Sequence, residues 1–211
     1  MQVKGFLWFA IGLVALLAMG LLIPVRGSVP VQAPERMILT GVPPLGPTRW
    51  RDETGVAVPA GCGPEAARML LSYYDRRYGY GRLVREDPSG AIVELHRRMG
   101  TVTVGWEGER QGLTWPWAFT EGLRAYIEAR YPGGASLETL DADLAQVFAK
   151  SVELIQRGVP HVILFDWTGA MWIFPNHYAV VVGYNQEGGR KELVINLGWG
   201  YDFQVLDMSD P

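Results

Sequence analysis

Three residues of this 211-residue chain have the types and the order that nucleophilic catalysis requires. Cys62 is the only cysteine, His177 is one of three histidines, and Asn196 follows it in the chain. A thiolate nucleophile needs a base within hydrogen-bond reach, and the base needs a third group that orients it. The sequence therefore indicates a Cys–His–Asn site, provided that the fold brings the three side chains together.

Cys62 is predicted to lie at the beginning of a buried helix. Gly61 and Gly63 flank it, and Pro64 suits the first turn of a helix, where its missing N–H costs nothing. The apolar residues that follow recur at helical spacing: Ala66, Ala67, Leu70, Leu71 and Tyr74. The dipole and the unpaired N–H groups of a helix N-terminus favour a thiolate over a thiol. A free cysteine is also among the residues most often simply buried, so the alternative of an inert Cys62 stays open.

His177 and Asn196 are predicted to be neighbours in a hairpin. Residues 177–184 read as a buried strand, 185–190 supply the loop, and 192–196 form the returning strand. A hairpin sets the start of one strand opposite the end of its partner. We expect the Asn196 amide to bind one ring nitrogen of His177 and to leave the other facing Cys62.

The other two histidines are assigned structural roles. His96 lies in a predicted helix beside two arginines, and His161 begins a predicted strand. No cluster of His, Cys, Asp and Glu has metal-ligand spacing, and no glycine-rich phosphate loop follows a strand, so we expect no metal or cofactor. The net charge of −3, with scattered basic residues, argues against a nucleic-acid partner.

The N-terminal residues indicate export. Phe6 to Val25 is an uncharged apolar run long enough to cross a bilayer as a helix, and Lys4 precedes it. We predict that residues 1–25 are an uncleaved transmembrane anchor, with a cleaved signal peptide as the alternative. Residues 26–47 are proline-rich and predict an extended tether, and residues 48–211 the domain proper. The domain would face the extracytoplasmic side, or be secreted if the segment is cleaved.

The order of elements predicts an α+β domain. Helices come first and antiparallel strands last, with no internal repeat. The predicted helices run from Cys62 to near Gly79, from Asp87 to Gly100, from Thr114 to Arg130 and from Asp141 to Arg157, and residues 101–113 are predicted to be a loop.

Three motifs together resemble the papain-like cysteine peptidases. They are Gly61-Cys62-Gly63-Pro64, the strand from His177 to Tyr184, and Val194-Ile195-Asn196-Leu197-Gly198-Trp199-Gly200. The entry motif is most similar to bacterial peptidases of the double-glycine leader, or bacteriocin-processing, branch. The resemblance implies a helix carrying the cysteine, packed on a C-terminal antiparallel sheet carrying the histidine and asparagine. It also implies Cys62 as nucleophile, His177 as general acid/base, Asn196 as the residue that orients His177, and Trp199 as a shield over the Asn–His contact.

One position departs from the family pattern. These peptidases usually carry a glutamine about six residues before the cysteine, where its N–H helps to bind the oxyanion, but here Val56 occupies that position. We expect a membrane-anchored, extracytoplasmic thiol peptidase that hydrolyses peptide bonds through the Cys–His–Asn triad and an acyl-enzyme. The alternatives are transfer of the acyl group to an amine and, because the glutamine is missing, a catalytically silent domain that binds peptides or a membrane partner. The sequence leaves the oligomeric state open.

Overall fold

The computed structural model describes most of the chain. The described residues are 8–14, 33–52, 54–105, 110–133, 136–165, 177–200 and 203–209. Their helices are α1 (Cys62–Tyr78), α2 (Pro88–Arg98), α3 (Pro116–Glu128) and α4 (Leu144–Gln156). Their strands are β1 (Trp8–Val14), β2 (Arg36–Ile38), β3 (Arg49–Arg51), β4 (Ala57–Pro59), β5 (Val102–Val104), β6 (Gln111–Leu113), β7 (Ser136–Ala142), β8 (His161–Phe165), β9 (His177–Asn185), β10 (Glu192–Asn196) and β11 (Gln204–Asp207).

One antiparallel sheet organises the domain. Its strand order is β11-β10-β9-β8-β1-β7, and the short strand β2 pairs with the C-terminal half of β9. Two small hairpins, β3–β4 and β5–β6, lie outside this sheet. The strand β4 ends at Pro59 and α1 begins at Cys62, so the β3–β4 hairpin immediately precedes the cysteine.

The central strand β9 is buried on both faces. Tyr178, Val180 and Val182 belong to a core shared with α1, α2 and α3. Ala179 and Val181 belong to a second core that α4 covers. Because successive side chains of a strand point to opposite faces, the two cores are separated by the sheet itself. The α+β class is confirmed, with the helix that carries Cys62 packed on the antiparallel sheet.

The four predicted helices are present, with small differences at their ends. Helix α1 ends at Gly79, whose φ of 70° is the left-handed conformation that glycine adopts readily. Asp87 caps α2 by accepting from the Gly90 N–H at 2.8 Å. The third helix begins at Pro116 rather than after Thr114, because the Thr114 hydroxyl is buried against the hydroxyl of Thr101 at 2.7 Å.

The prediction of a loop over residues 101–113 was wrong in part. Val102–Val104 and Gln111–Leu113 pair as β5 and β6. Each strand has three residues, too few for alternation to stand out among the glycines and polar residues around them. This hairpin matters because β6 lies beside the cysteine.

The N-terminal segment differs from the predicted anchor where it is described. Trp8–Val14 forms β1, paired with β7 and β8 in the sheet, whereas residues 1–7 and 15–25 lie outside the described residues. Within the described ranges, no helix is long and apolar enough to span a bilayer. An uninterrupted apolar run suits a buried strand as well as a helix, and periodicity does not separate the two.

The predicted tether is packed against the domain along much of its length. Residues 26–32 lie outside the described residues, but Arg36–Ile38 pairs with β9. Val42 is buried in the first core. The segment that follows contacts α1, where Nη2 of Arg68 lies 3.4 Å from the Gly46 carbonyl oxygen.

Candidate active site

Cys62 is the first residue of α1. Other segments of the chain pack so closely against the two flanking glycines that a side chain would not fit at either position. Gly61 has a φ of 91°, and a Cβ at this position would lie 2.8 Å from the Gly112 carbonyl oxygen of β6. A Cβ on Gly63 would lie 2.8 Å from the Thr114 hydroxyl. The Gly-Cys-Gly motif therefore lets β6 and Thr114 pack directly against the start of the helix.

The environment of the Cys62 thiol is dominated by burial. The residue is partly exposed and packs against the first core. Burial raises the pKa of the Cys62 thiol, and the backbone N–H groups of Tyr178, Gly63 and Cys62 itself, which favour the thiolate, offset this only in part. The helix N–H groups favour the thiolate, as predicted, but burial has the larger effect on the pKa of the thiol. Loss of hydration outweighs the helix N–H groups, so the thiol stays protonated.

The His177 ring is held by a backbone carbonyl. Its Nε2 lies 3.1 Å from the Leu197 oxygen. A carbonyl oxygen only accepts, so Nε2 carries the hydrogen and, in the neutral ring, Nδ1 carries the lone pair. Phe165 meets the ring edge-on at 5.9 Å between centroids, and Trp199 covers it at 5.1 Å. Burial lowers the pKa of His177 to about 4, against the opposing effect of the Leu197 bond, and the ring is therefore neutral at pH 7.

The hairpin sets His177 and Asn196 on opposite faces of the sheet. His177 pairs with Phe165 of β8, which belongs to the second core. Asn196 pairs with Val180, which belongs to the first core beneath α1. Paired residues share a face, and successive residues alternate. The predicted hairpin of β9 and β10 is present. However, that two residues lie close along paired strands does not decide whether their side chains point to the same face of the sheet.

Asn196 is nevertheless linked to His177 through one peptide unit. Its Oδ1 accepts from the Gly198 N–H at 3.0 Å, and its Nδ2 donates to the Pro43 carbonyl at 3.1 Å. The Gly198 N–H and the Leu197 carbonyl belong to the same planar peptide. Fixing the N–H end therefore aims the carbonyl end, which receives Nε2 of His177. The Leu197 carbonyl is a backbone group, so no side-chain motif could have pointed to it.

Val56 has a turn role and offers no side-chain donor. It lies between β3 and β4, where its N–H donates to the Asp52 carboxylate at 3.0 Å. The N–H groups directed at the Cys62 sulfur come instead from the backbone, one of them from Tyr178, next to His177 in the chain. These groups are suitable donors for negative charge that develops near the sulfur.

The other two histidines make structural contacts. Nε2 of His161 lies 2.8 Å from the Ser151 hydroxyl in a fully buried position, and burial lowers the pKa of His161 to about 4. Nδ1 of His96 lies 3.0 Å from the Ala60 carbonyl oxygen. Within the described ranges, no group of three or more His, Cys, Asp and Glu side chains could hold a metal ion.

Two exposed tryptophans lie on the Thr114 side of the cysteine. Trp115 and Trp117 stack at 5.3 Å between centroids and 9° between planes, and are 38% and 63% exposed. Trp115 follows Thr114, which contacts Gly63, and one residue along the chain advances about 3.8 Å. The stacked pair therefore follows directly in the chain on the residue that packs against the start of α1.

A partly exposed cysteine at a helix N-terminus, packed on an antiparallel sheet whose central strand begins with histidine, defines a domain of the papain-like thiol peptidase type. The sequence model of the Peptidase_C39 like family matches residues 42–199, and the chain belongs to this family. The match runs from the segment beside α1 to Trp199, so it spans Cys62, His177 and Asn196. No curated protein and no solved structure matches the chain.

Proposed function

We propose that this protein is a thiol peptidase that hydrolyses peptide bonds through an acyl-enzyme on Cys62. The observation that carries the proposal is the position of the thiol. Cys62 is the first residue of α1, and α1 packs on β9, the strand that begins with His177. Membership of the Peptidase_C39 like family supports the same activity.

The resting pair is a neutral thiol and a neutral imidazole. As the sulfur attacks the substrate carbonyl carbon, the thiol proton passes to Nδ1 of His177, and the carbonyl oxygen becomes an oxyanion. Because His177 starts on the second-core face of the sheet and Cys62 packs against the first core, this transfer requires the imidazole to turn toward the sulfur when substrate binds. His177 then protonates the departing amine, which leaves an acyl thioester on Cys62. Water attacks this thioester, gives one proton to His177, and releases a carboxylic acid and the thiol.

Asn196 completes the proposed triad indirectly. Its Oδ1 holds the Gly198 N–H, and the Leu197 carbonyl of that peptide holds Nε2 of His177. Each bond fixes the next, so the ring stays in the tautomer that keeps the lone pair on Nδ1. We assign Asn196 to the orientation of His177 through this peptide.

We expect the Asn196 variants to separate this role from a simple structural one. Asn196→Asp keeps an acceptor for the Gly198 N–H but loses the donor to Pro43. Its negative charge also favours the imidazolium, which raises the pKa of His177. Asn196→Ala loses both bonds and should lower kcat about 10- to 100-fold.

The measurement for this prediction is the pH profile of kcat together with kcat at its optimum. Asn196→Asp should keep a larger share of kcat than Asn196→Ala, with its acid limb moved to higher pH. Equal losses in the two variants, with unmoved acid limbs, would show that Asn196 does not act through the peptide.

The two exposed tryptophans support a peptide substrate. A stacked, exposed aromatic pair offers a large apolar contact area without an intrinsic charge preference. We propose that the substrate is a peptide or protein segment that contacts this pair.

We also propose membrane attachment through residues 1–25, facing the extracytoplasmic side. Its support is the uncharged run from Phe6 to Val25. Residues 8–14 cannot both pair in the sheet and cross a bilayer, so attachment requires β1 to leave β7 and β8. Flotation of the full chain with vesicles, compared with a chain that begins at residue 33, tests this: attachment predicts flotation of the full chain alone.

A catalytically silent, peptide-binding domain is the second candidate. The raised pKa of the Cys62 thiol and the absence of a side-chain donor at Val56 favour it. An acyl transferase that uses an amine in place of water is a further variant of the same chemistry, and the products identify it.

The experiment is incubation of the full chain with a mixed peptide library, with and without an added primary amine, followed by mass analysis. A peptidase gives new carboxyl termini that Cys62→Ser does not give. Amides formed with the added amine would indicate transfer. Retention of library peptides, uncut in the wild type, would indicate the silent domain.

A further inference from the structure

A buried ion pair joins the first and second turns of α1 and has no part in the reaction steps above. The Glu65 carboxylate contacts the Arg68 guanidinium at 2.7 Å through Nη2 and at 3.0 Å through Nε. The two side chains are only 4% and 12% exposed. Charges taken out of water this far are costly unless each makes several good bonds. Both side chains also make hydrogen bonds to residues outside α1.

Those outward bonds reach the segment 42–48, which we call the strap. The second carboxylate oxygen of Glu65 accepts from the Thr48 N–H at 2.5 Å. Nη2 of Arg68 lies 3.1 Å from the Thr48 hydroxyl and 3.4 Å from the Gly46 carbonyl oxygen. The ion pair therefore fastens one end of the strap to α1, within one turn of Cys62.

The opposite side of the strap holds the turn formed by residues 196–200. The Leu45 carbonyl accepts from the Gly200 N–H at 3.3 Å, and the Pro43 carbonyl accepts from Nδ2 of Asn196 at 3.1 Å. Gly46 and Gly200 pack backbone to backbone, since a Cβ on Gly200 would lie 3.2 Å from the Gly46 Cα. This turn contains the Leu197 carbonyl that holds His177.

We propose that Glu65 and Arg68 are positioning residues for His177, acting through the strap and the 196–200 turn. The expected effect of these residues on kcat rests on the proposed peptidase function. Their expected effect on the stability of the 196–200 turn does not. The connected hydrogen bonds run from the helix that carries the nucleophile to the carbonyl that aims the base. The ion pair therefore fixes the two halves of the site relative to each other.

Amide hydrogen exchange of the full chain tests the structural consequence. Glu65→Ala removes both the ion pair and the Thr48 bond, and should accelerate exchange at Gly198 and Gly200 at least tenfold more than at the middle of α4. Glu65→Gln keeps an acceptor for Thr48, so it should show a smaller acceleration, and it remains informative if the alanine variant does not fold. Unchanged protection of the 196–200 turn in a folded Glu65 variant would overturn the proposal.

Two control variants match the chemistry without touching the strap. Glu153→Ala breaks the Lys150–Glu153 pair, which has the same spacing on an exposed face of α4. Asp75→Asn alters a buried carboxylate of α1 that binds the Leu83 and Val84 N–H groups at 3.1 and 2.6 Å. Neither should selectively release the 196–200 turn. If Asp75→Asn releases it as much as Glu65→Ala, the effect is general loosening and the proposal fails.

The kinetic consequence is a loss of kcat with KM nearly unchanged, because neither residue is placed to contact the substrate. A slight misplacement of the base should lower kcat about 10- to 100-fold in Glu65→Ala. A rise in KM with unchanged kcat would contradict the positioning role. If no peptide is cleaved by the wild type, the exchange result still decides the structural claim, so failure of the proposed function is distinguishable from failure of this inference.

Discussion

His177→Ala and Cys62→Ala are each expected to lower kcat by about 10⁴-fold or more, and the double variant to lose little beyond that. The reason is that, in the proposed mechanism, the two residues act together. The raised pKa of the thiol keeps Cys62 protonated, so the sulfur becomes a strong nucleophile only when His177 takes its proton. A neutral ring with its lone pair on Nδ1 is the form that can take it. Without either partner, only binding and the backbone N–H groups remain to lower the barrier.

The measurement is kcat for the two single variants and the double variant on one cleaved peptide. His161→Gln is the matched control, since it changes a buried histidine that contacts Ser151 and should leave kcat within about twofold of the wild type at neutral pH. Additive losses would show that Cys62 and His177 act independently. That result would remove the basis for the proposed mechanism.

Acidification is expected to destabilise the domain strongly between pH 6.5 and pH 4. The pKa values of His161 and His177 are each lowered by burial to about 4. The unfolded chain, with histidine near pKa 6.5, therefore binds more protons than the folded chain in this window. Stability is fully present above pH 6.5 and is lost as the pH falls. Each histidine accounts for about 3 kcal/mol of this loss by pH 4.

Urea unfolding at several pH values between 7 and 4.5 measures this loss. Comparison should stop near pH 4.5, because Glu94, whose pKa is lowered by its bond to Arg130, begins to lose its own stabilisation below that pH. The His161→Gln variant should retain about half of the pH dependence. If the free energy of unfolding of that variant depended on pH as steeply as in the wild type, burial would not lower the pKa of His161 as the structure indicates.

The helices and the His177–Asn196 hairpin could be predicted from sequence because their signals are local. Spaced apolar residues, Asp87 before a proline and Gly79 after α1 each fix an element or its end within a few residues. The small β5–β6 hairpin could not be predicted, because three-residue strands carry almost no periodicity. Its position beside Cys62 became evident only from the close approach of Gly61 to Gly112.

The residue types of the candidate site can be proposed from the sequence, but the geometry of the site cannot. The side chains of Cys62 and Asn196 have surroundings set by tertiary packing, which sequence spacing does not report. The helix N-terminus argues for a thiolate at Cys62, yet burial outweighs it. The hairpin argues for a direct Asn196–His177 bond, yet strand alternation sends the two side chains to opposite faces and leaves the Leu197 peptide between them.

The N-terminal run shows a further limit of sequence reasoning. The hydrophobic effect favours the removal of an apolar segment from water, but it does not specify whether a protein core or a bilayer replaces the water. Trp8–Val14 lies between β7 and β8 in the sheet, although it belongs to the run from Phe6 to Val25, which is long enough for a membrane helix. Length and charge alone do not choose between these two destinations.

The most direct measurement is the intact mass of the full chain after brief reaction with p-nitrophenyl acetate at neutral pH and an acid quench, with peptide mapping of the modified residue. The account predicts one acetyl group on Cys62, formed rapidly in the wild type, at least about 100-fold more slowly in His177→Ala, and removed by water over time. Acetylation of Cys62 at the same rate in both chains would show an ordinary thiol without a base. That outcome would contradict the peptidase mechanism and favour the silent, peptide-binding domain.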